Sequence, residues 1–323
     1  MTNSNTPFSS DVISLGDLVA DLIVSIPHLP IRAQEHQPAR EMALEAGGNC
    51  NFLIMAARLG LHARAFGAVG RDDYGRRVLE LLLAERVNID SVTVLAGGRT
   101  GLAIVLVDDE AQHVFVGKHG EGAPQPLPAD WQSLIQQTGA LFTSGYDLRP
   151  TALLAGDAIM ECLAFGQAHN IPLFFDLGPP AFHYDRARIE AVIDQTTVFL
   201  ATAEEAAAWT GLAEPRAAAR QLLQRNPALV IIKLGADGCL LATAEEEVHA
   251  PGFTVPVRDT TGAGDAFAAA CVYGYQGGLS LTALGYLCNA VGAAAVGRLG
   301  AGTRLPHRAD VEALLETISP RPE

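Results

Sequence analysis

The chain has 323 residues, 49% of them hydrophobic, which is enough for a substantial core in one large α/β domain or two small ones. A formal net charge of −14, from 36 acidic and 22 basic residues, leaves no electrostatic footprint for nucleic acid or an anionic membrane surface, so small molecules are the expected partners. Any phosphate must then be held locally, by backbone N–H groups at glycine-rich turns, a helix start or a metal ion, because the overall field repels it.

The start, MTNSNTPFSSD, lacks the basic residues and apolar stretch of a signal peptide. Val12 to Leu15 reads as a first strand ending at Gly16-Asp17. The stretch from about Val19 to Leu44 is short on helical period and carries Pro27, Pro30 and Pro38. A helix is expected over Asn51 to Leu59, with Phe52, Met55, Ala56 and Leu59 on one face and Gly60 closing it. A strand over Ala65 to Val69 and a helix from about Tyr74 to Arg86 follow. Val92-Val94, Leu102-Val107 and His113-Val116 then look like short strands of a meander, joined at Gly97-Gly98 and Asp108-Asp109. Further alternation gives Leu141 to Thr143, a helix over Ala152 to Ala168, and strands over Pro172 to Asp176 and Leu229 to Leu234. This rhythm predicts a single α/β domain over residues 1–323, built on a mainly parallel sheet flanked by helices. A small β-sheet lid is expected from about 19–45 and 91–120.

No apolar run of roughly 18 residues occurs, so no membrane span is expected. Cys50, Cys162, Cys239, Cys271 and Cys288 are odd in number and form no C-x-x-C pair, which predicts free thiols and a reducing, cytoplasmic setting.

Arg258 to Tyr273 carries the most chemistry. An acid and two threonines, Asp259, Thr260 and Thr261, lead through Gly262-Ala263-Gly264-Asp265 into an alanine-rich helix. Glycines permit close backbone approach, N–H groups at the helix start can cradle an anion, and Asp265 would face that anion from the first turn. A plain helix start, capped by Thr261 and with Asp265 complementing the dipole, explains the same residues.

The string DTTGAGDAF, Asp259 to Phe267, resembles the C-terminal signature of the PfkB carbohydrate-kinase family, which includes ribokinase, fructokinase, ketodeoxygluconate kinase and adenosine kinase. Similar stretches follow in family order along nearly the whole chain: Gly16-Asp17 with Asp21, Gly47-Gly48-Asn49-Cys50-Asn51, Val69 to Gly75, Val87 to Asp90 and Arg99-Thr100-Gly101. Ile231 to Gly238 resembles the family's nucleotide-binding turn, with Lys233 where threonine is also common, and Asn289 matches a residue beside the adenine. A glycine-flanked hairpin and close helix packing are the plainer readings of those two segments.

The resemblance implies an ATP-dependent kinase of a small sugar or sugar acid, using magnesium. Asp265 would be the general base, with Gly262, Ala263 and Gly264 forming the anion cradle. Asp17, Asp21, Gly47, Gly48 and Asn51 would contact the sugar, and Lys233, Gly235, Gly238 and Asn289 the nucleotide. Glu205 matches a family glutamate that organises magnesium and its waters, but Thr202 stands where the family has asparagine, so a weakened metal site is expected. Asp259 and Thr261 resemble ligands of a monovalent cation such as potassium, whereas Arg304 replaces a small residue there, and Val19 replaces a sugar-contacting asparagine of ribokinase. Two rival readings are a nucleoside kinase, with Phe115, Phe142 or Tyr146 walling the base, and a non-catalytic ligand-binding homologue. Exposed lid strands would suit a homodimer. No P-loop, H-E-x-x-H or G-x-S-x-G pattern is present.

Overall fold

The computed structural model describes residues 10–123, 126–148, 156–178 and 186–317. The first strand, β1 (Asp11–Leu15), is buried on both faces, at Val12, Ile13, Ser14 and Leu15. Strands β2 (Leu18–Ser25) and β3 (Glu41–Gly48) precede helix α1 (Asn49–Leu59). They are followed by β4 (His62–Gly70), α2 (Asp73–Ala84), β5 (Val92–Leu95), β6 (Gly101–Val107) and β7 (His113–Lys118). The chain continues through α3 (Trp131–Gln137), β8 (Ala140–Ser144), α4 (Gly156–Ala168), β9 (Leu173–Asp176), α5 (Arg186–Ile193) and β10 (Val198–Thr202). After α6 (Ala203–Thr210) and α7 (Pro215–Leu223) come β11 (Leu229–Lys233), β12 (Cys239–Ala242) and β13 (Glu247–Ala250). Three helices close the described chain: α8 (Ala263–Gln276), α9 (Leu281–Val296) and α10 (Arg308–Leu315).

The main sheet has nine strands in the order β13-β12-β11-β10-β9-β8-β1-β4-β5. Neighbours from β11 to β5 run parallel, and β12 and β13 add an antiparallel edge. Successive strand residues point to opposite faces. Phe142, Phe174, Leu200 and Ile231 therefore pack with α1, α8 and α9, while Leu141, Phe175, Phe199 and Val230 pack with α4, α5, α6 and α7. The α/β architecture expected from the alternation is the one found. Residues 152–155 of the helix expected over Ala152 to Ala168 lie outside the described residues.

A separate four-stranded sheet has the order β3-β2-β6-β7. Here the sequence reading needs correction. Val92–Leu95 was expected in this layer, but it pairs in parallel with β4, from Gly67–Val92 to Gly70–Leu95, at the edge of the main sheet. The small sheet is also no simple meander, because β2 and β6 are parallel and join two antiparallel pairs, β2–β3 and β6–β7. A four-residue strand carries no periodicity that says which sheet it joins, so long-range pairing decides.

All five cysteines are buried and free. Among the described residues no helix is long and apolar enough to cross a membrane.

Candidate active site

The carboxyl ends of β1, β8, β9, β10 and β11 and the start of α8 meet on one side of the main sheet, where open α/β sheets bind ligands. Helix α8 begins from Gly262, whose φ of 73° is left-handed. A Cβ there would approach Ala301 Cβ to 3.0 Å and Asn51 Cγ to 3.3 Å, so glycine is required on both counts. Asp265 follows in the first helical turn, and its Oδ2 accepts a hydrogen bond of 3.1 Å from Asn51 Nδ2. Asn51 Oδ1 in turn accepts from the Gly302 N–H at 2.8 Å, which fixes the amide one way round. Burial pushes the Asp265 carboxyl up to about 7; the Asn51 bond and Lys233 oppose the rise, and Asp176 and Asp147 add to it. Of the donors expected in the cradle, the Ala263 N–H is committed to the Thr260 carbonyl at 3.2 Å. The N–H groups of Gly264 and Asp265, in the first turn, remain the natural anion donors.

Asp21, on β2, is buried, and its carboxyl is pushed up to about 7 by that burial and by the nearby carboxylates of Asp265 and Glu45. Gly47 makes room for it: a Cβ at residue 47 would sit 2.1 Å from the Asp21 carboxyl. Gly48 starts α1 at φ 58°, with Val19 packed against it. The Asp17 N–H donates to Asp147 Oδ1 at 2.9 Å. Asp147 is wholly buried and also accepts from the Ser144 N–H at 3.0 Å and the Ser144 hydroxyl at 2.6 Å; burial first, then Asp17, raises it to about 6.

On the other side of Asp265, Lys233 closes β11 and its Nζ donates to both carboxylate oxygens of Asp176, at 2.9 and 2.7 Å. Burial works against that ammonium, yet Asp176, Glu205 and Asp265 together hold its pKa above the ordinary lysine value. Thr202 and Glu205 form a capping box on α6: Thr202 Oγ1 accepts from the Glu205 N–H at 3.2 Å, and Glu205 Oε2 accepts from the Thr202 N–H at 2.8 Å. Burial and Asp176 raise the Glu205 carboxyl. Gly235 (φ 61°) and Gly238 (φ 92°) shape the β11–β12 hairpin, and a Cβ on Gly238 would strike the Ala250 carbonyl at 2.1 Å. Asn289 Nδ2 donates to the carbonyls of Ala250 and Pro251 at 2.9 and 3.0 Å, tying α9 to the segment after β13.

A loop after α9 binds these parts together. Asp259 Oδ1 accepts from the Thr261 N–H and hydroxyl, at 2.9 and 2.7 Å, and its Oδ2 accepts from the Gly300 N–H at 2.8 Å. Glu45 Oε2, on β3, accepts from the N–H and hydroxyl of Thr303 at 3.0 and 2.7 Å. Arg304 packs on Gly300 and pairs with Glu41 at 2.5 Å and Glu45 at 3.6 Å. Arg58, at the far end of α1, pairs with Glu85 at 2.6 Å and donates to the carbonyls of Thr303 and Leu305. The sequence marks none of Glu45, Asp147, Asp176 and Thr303 as a site residue; none stands in a motif, and only the pairing of distant strands and loops brings them here. Phe142 cannot wall a ligand, because it is fully buried and stacked on Phe52 with ring centroids 3.8 Å apart.

Among the described residues no group of three or more His, Cys, Asp or Glu side chains could hold a metal. The single carboxylate of Glu205 fits a divalent ion that arrives on a ligand's phosphates and keeps most of its waters.

An acid at a glycine-flanked helix start, beside the strand ends of an open α/β sheet, stands where such folds hold phosphate-bearing ligands. The chain matches the pfkB family carbohydrate kinases over residues 9–308, and it belongs to that family. It is 27% identical to a 5-dehydro-2-deoxygluconokinase of Bacillus anthracis over 97% of this chain and 96% of that one. It is 30% identical to an uncharacterized sugar kinase of Archaeoglobus fulgidus over 79% of this chain and 99% of the relative. Its fold matches a putative ribokinase II of E. coli, crystallised with ATP and magnesium, with a TM-score of 0.83 at 21% identity, over 95% of this chain and 99% of that one.

Proposed function

We propose that the protein is an ATP-dependent sugar kinase that moves the γ-phosphate of ATP to a primary hydroxyl of a small sugar or sugar acid, with Asp265 as general base. The observation that carries this reading is the Asp265 carboxyl at the start of α8, anchored by Asn51 and raised to about 7, where it can take a proton at neutral pH. The acceptor lies between the strand ends and the small sheet, which serves as a lid on a single kinase domain, with Asp21 and Gly48 beside it. Asp265 takes the proton as the hydroxyl oxygen attacks the γ-phosphorus in line; the bond from that phosphorus to the bridging oxygen breaks and ADP leaves. The N–H groups of Gly264 and Asp265 stabilise charge on the transferring group. Magnesium bound to the nucleotide supplies charge neutralisation, and Glu205 would hold it through water.

A ketodeoxygluconate-type sugar acid is the favoured acceptor, on the name of the Bacillus anthracis relative. Val19, packed on Gly48 and Gly101, offers no hydrogen bond and speaks against ribose. An ATP-consumption screen over ketodeoxygluconate, 5-dehydro-2-deoxygluconate, ribose, fructose, adenosine, cytidine and inosine tests the reading. Turnover on a sugar or sugar acid is expected; turnover confined to nucleosides, or none, overturns it. The edge strand β7 exposes Val114, Phe115 and Val116, which suits pairing of two lids into a homodimer, to be read by sedimentation.

A further inference from the structure

Glu45 is a carboxylate on β3 of the small sheet, 7% exposed and opposite Asp21 in the β2–β3 register. A charge so buried is costly unless its oxygens are met. Thr303 meets one of them twice, with its N–H at 3.0 Å and its hydroxyl at 2.7 Å, and Arg304 Nε lies 3.6 Å from the other. The Thr303 carbonyl in turn accepts from Arg58 Nη2 at 2.8 Å. Thr303 is thus gripped at both ends, from β3 and from α1.

The residue before it carries the consequence. Gly302 has a left-handed φ of 62°, and a Cβ there would stand 2.8 Å from the Ala46 carbonyl and 2.9 Å from Glu45 Oε2. Its N–H is aimed at Asn51 Oδ1, 2.8 Å away, and the other end of that amide donates to Asp265 Oδ2 at 3.1 Å. An amide turned end for end would set N–H against N–H and oxygen against oxygen. One orientation of Asn51 survives, the one that serves the carboxyl at the start of α8. The loop has other moorings, from Arg304 to Glu41 and from Arg58 to the Leu305 carbonyl, so its attachment does not depend on Glu45.

We infer that Glu45 is a positioning residue for Asp265: through Thr303 it holds the Gly302 N–H where that group keeps Asn51 turned as a donor to the acid. The strand pair that carries Asp21 therefore also orients the base. That Asp265 is a base rests on the kinase reading; the chain of hydrogen bonds does not.

The sign of the effect separates this role from simple charge. Asp265 is faced by Asn51 and Cys50 of α1, Lys233 of β11, Asp176 of β9, Asp147 after β8 and Asp21 of β2. Burial holds the Cys50 thiol above its ordinary value, so it stays neutral. Glu45 is faced by Asp21 and shares Arg304 with Glu41. Deleting the Glu45 charge by itself lowers neighbouring acids, whereas freeing the Asn51 amide raises Asp265.

The test is NMR titration of the Asp265 carboxyl in the full chain carrying carboxyl-labelled aspartate, with the signal assigned through Asp265→Asn. Glu45→Leu is expected to raise the Asp265 midpoint by about half to two pH units, the upper end being the full worth of the Asn51 bond. The acid limb of kcat should follow. Glu45→Gln keeps an oxygen for both Thr303 donors and should bring the midpoint back to the wild-type value or below it. Adding Glu45→Leu to Asn51→Leu should move it no further, since the two act in series. Should Glu45→Leu fail to fold, Thr303→Val, which deletes the 2.7 Å bond and keeps the N–H, must shift the same carboxyl in the same direction. An unmoved or lowered midpoint in Glu45→Leu, an equal rise in Glu45→Gln, or a further rise in the double variant would each overturn the inference. Failure of the kinase reading shows elsewhere, as absence of turnover on every acceptor while the titration still shifts.

Discussion

Asn51 gives the sharpest way to separate a sugar contact from a residue that acts through Asp265. Asn51→Leu keeps the approximate shape and deletes the 3.1 Å bond to Asp265 Oδ2. That bond favours the ionised carboxylate, against the burial that raises the group to about 7. A hydrogen bond to a charged group is worth roughly 1.5–3 kcal/mol, which corresponds to about one to two pH units at 1.36 kcal/mol per unit. The acid limb of kcat should move to about pH 8–9 by that estimate, cutting turnover at pH 7 by roughly fivefold to fiftyfold and restoring it at higher pH. The assay is coupled ADP release across pH 6–10, with the acceptor KM measured at each end. A loss that is constant with pH and accompanied by a raised acceptor KM would refute the reasoning and return Asn51 to the sugar.

Asp265→Asn should lower turnover by two or more orders of magnitude in the same assay, the scale of lost general-base catalysis; near-normal activity excludes the mechanism. Three acids, Asp21 and Asp265 at about 7 and Asp147 at about 6, bind protons more tightly folded than unfolded. Their stabilisation is present at low pH and lost as pH rises through those values, so the thermal midpoint should climb as pH falls from 8 to 6. A midpoint that stays flat or drops in scanning calorimetry contradicts those raised values. Thr202→Asn preserves the α6 cap, since the two residues cap comparably, and should raise activity when magnesium is limiting; an unchanged magnesium titration argues against the metal assignment of Thr202 and Glu205. Because Thr261 and Gly300 already satisfy both oxygens of Asp259, exchanging potassium for tetramethylammonium should leave initial rates unchanged. Strong potassium activation would show that a cation displaces those donors.

Much of the architecture is legible from local pattern. Helix α1 and the strands ending at Leu15, Asp176 and Lys233 are expected within a few residues of where they lie, because burial on one or both faces writes a period into the sequence. The Gly-Ala-Gly-Asp turn likewise announces a helix start that can meet an anion. What pattern cannot convey is who meets whom. That Gly302 and Asp265, distant in sequence, meet the two ends of the Asn51 amide is beyond any local pattern. Gly47 reads as room for a ligand, whereas the room is filled by Asp21. Asp176 ends a buried strand without distinction until a lysine from two strands away reaches it. Val92–Leu95 is too short to declare its sheet.

The loop at residues 300–304 also bears on synthesis. Gly302 is joined to Asn51 across 251 residues, and Thr303 to Glu45 across 258. Contacts of such long separation close late, after the local helices and strand pairs have formed. A nascent chain can therefore pair most of its parallel strands while Asp265 has no anchored amide beside it and the small sheet no tether. Both tethers form only once residues 302 and 303 have emerged, so a chain truncated before them lacks the partner that orients the Asn51 amide and the link that joins the small sheet to the last loop.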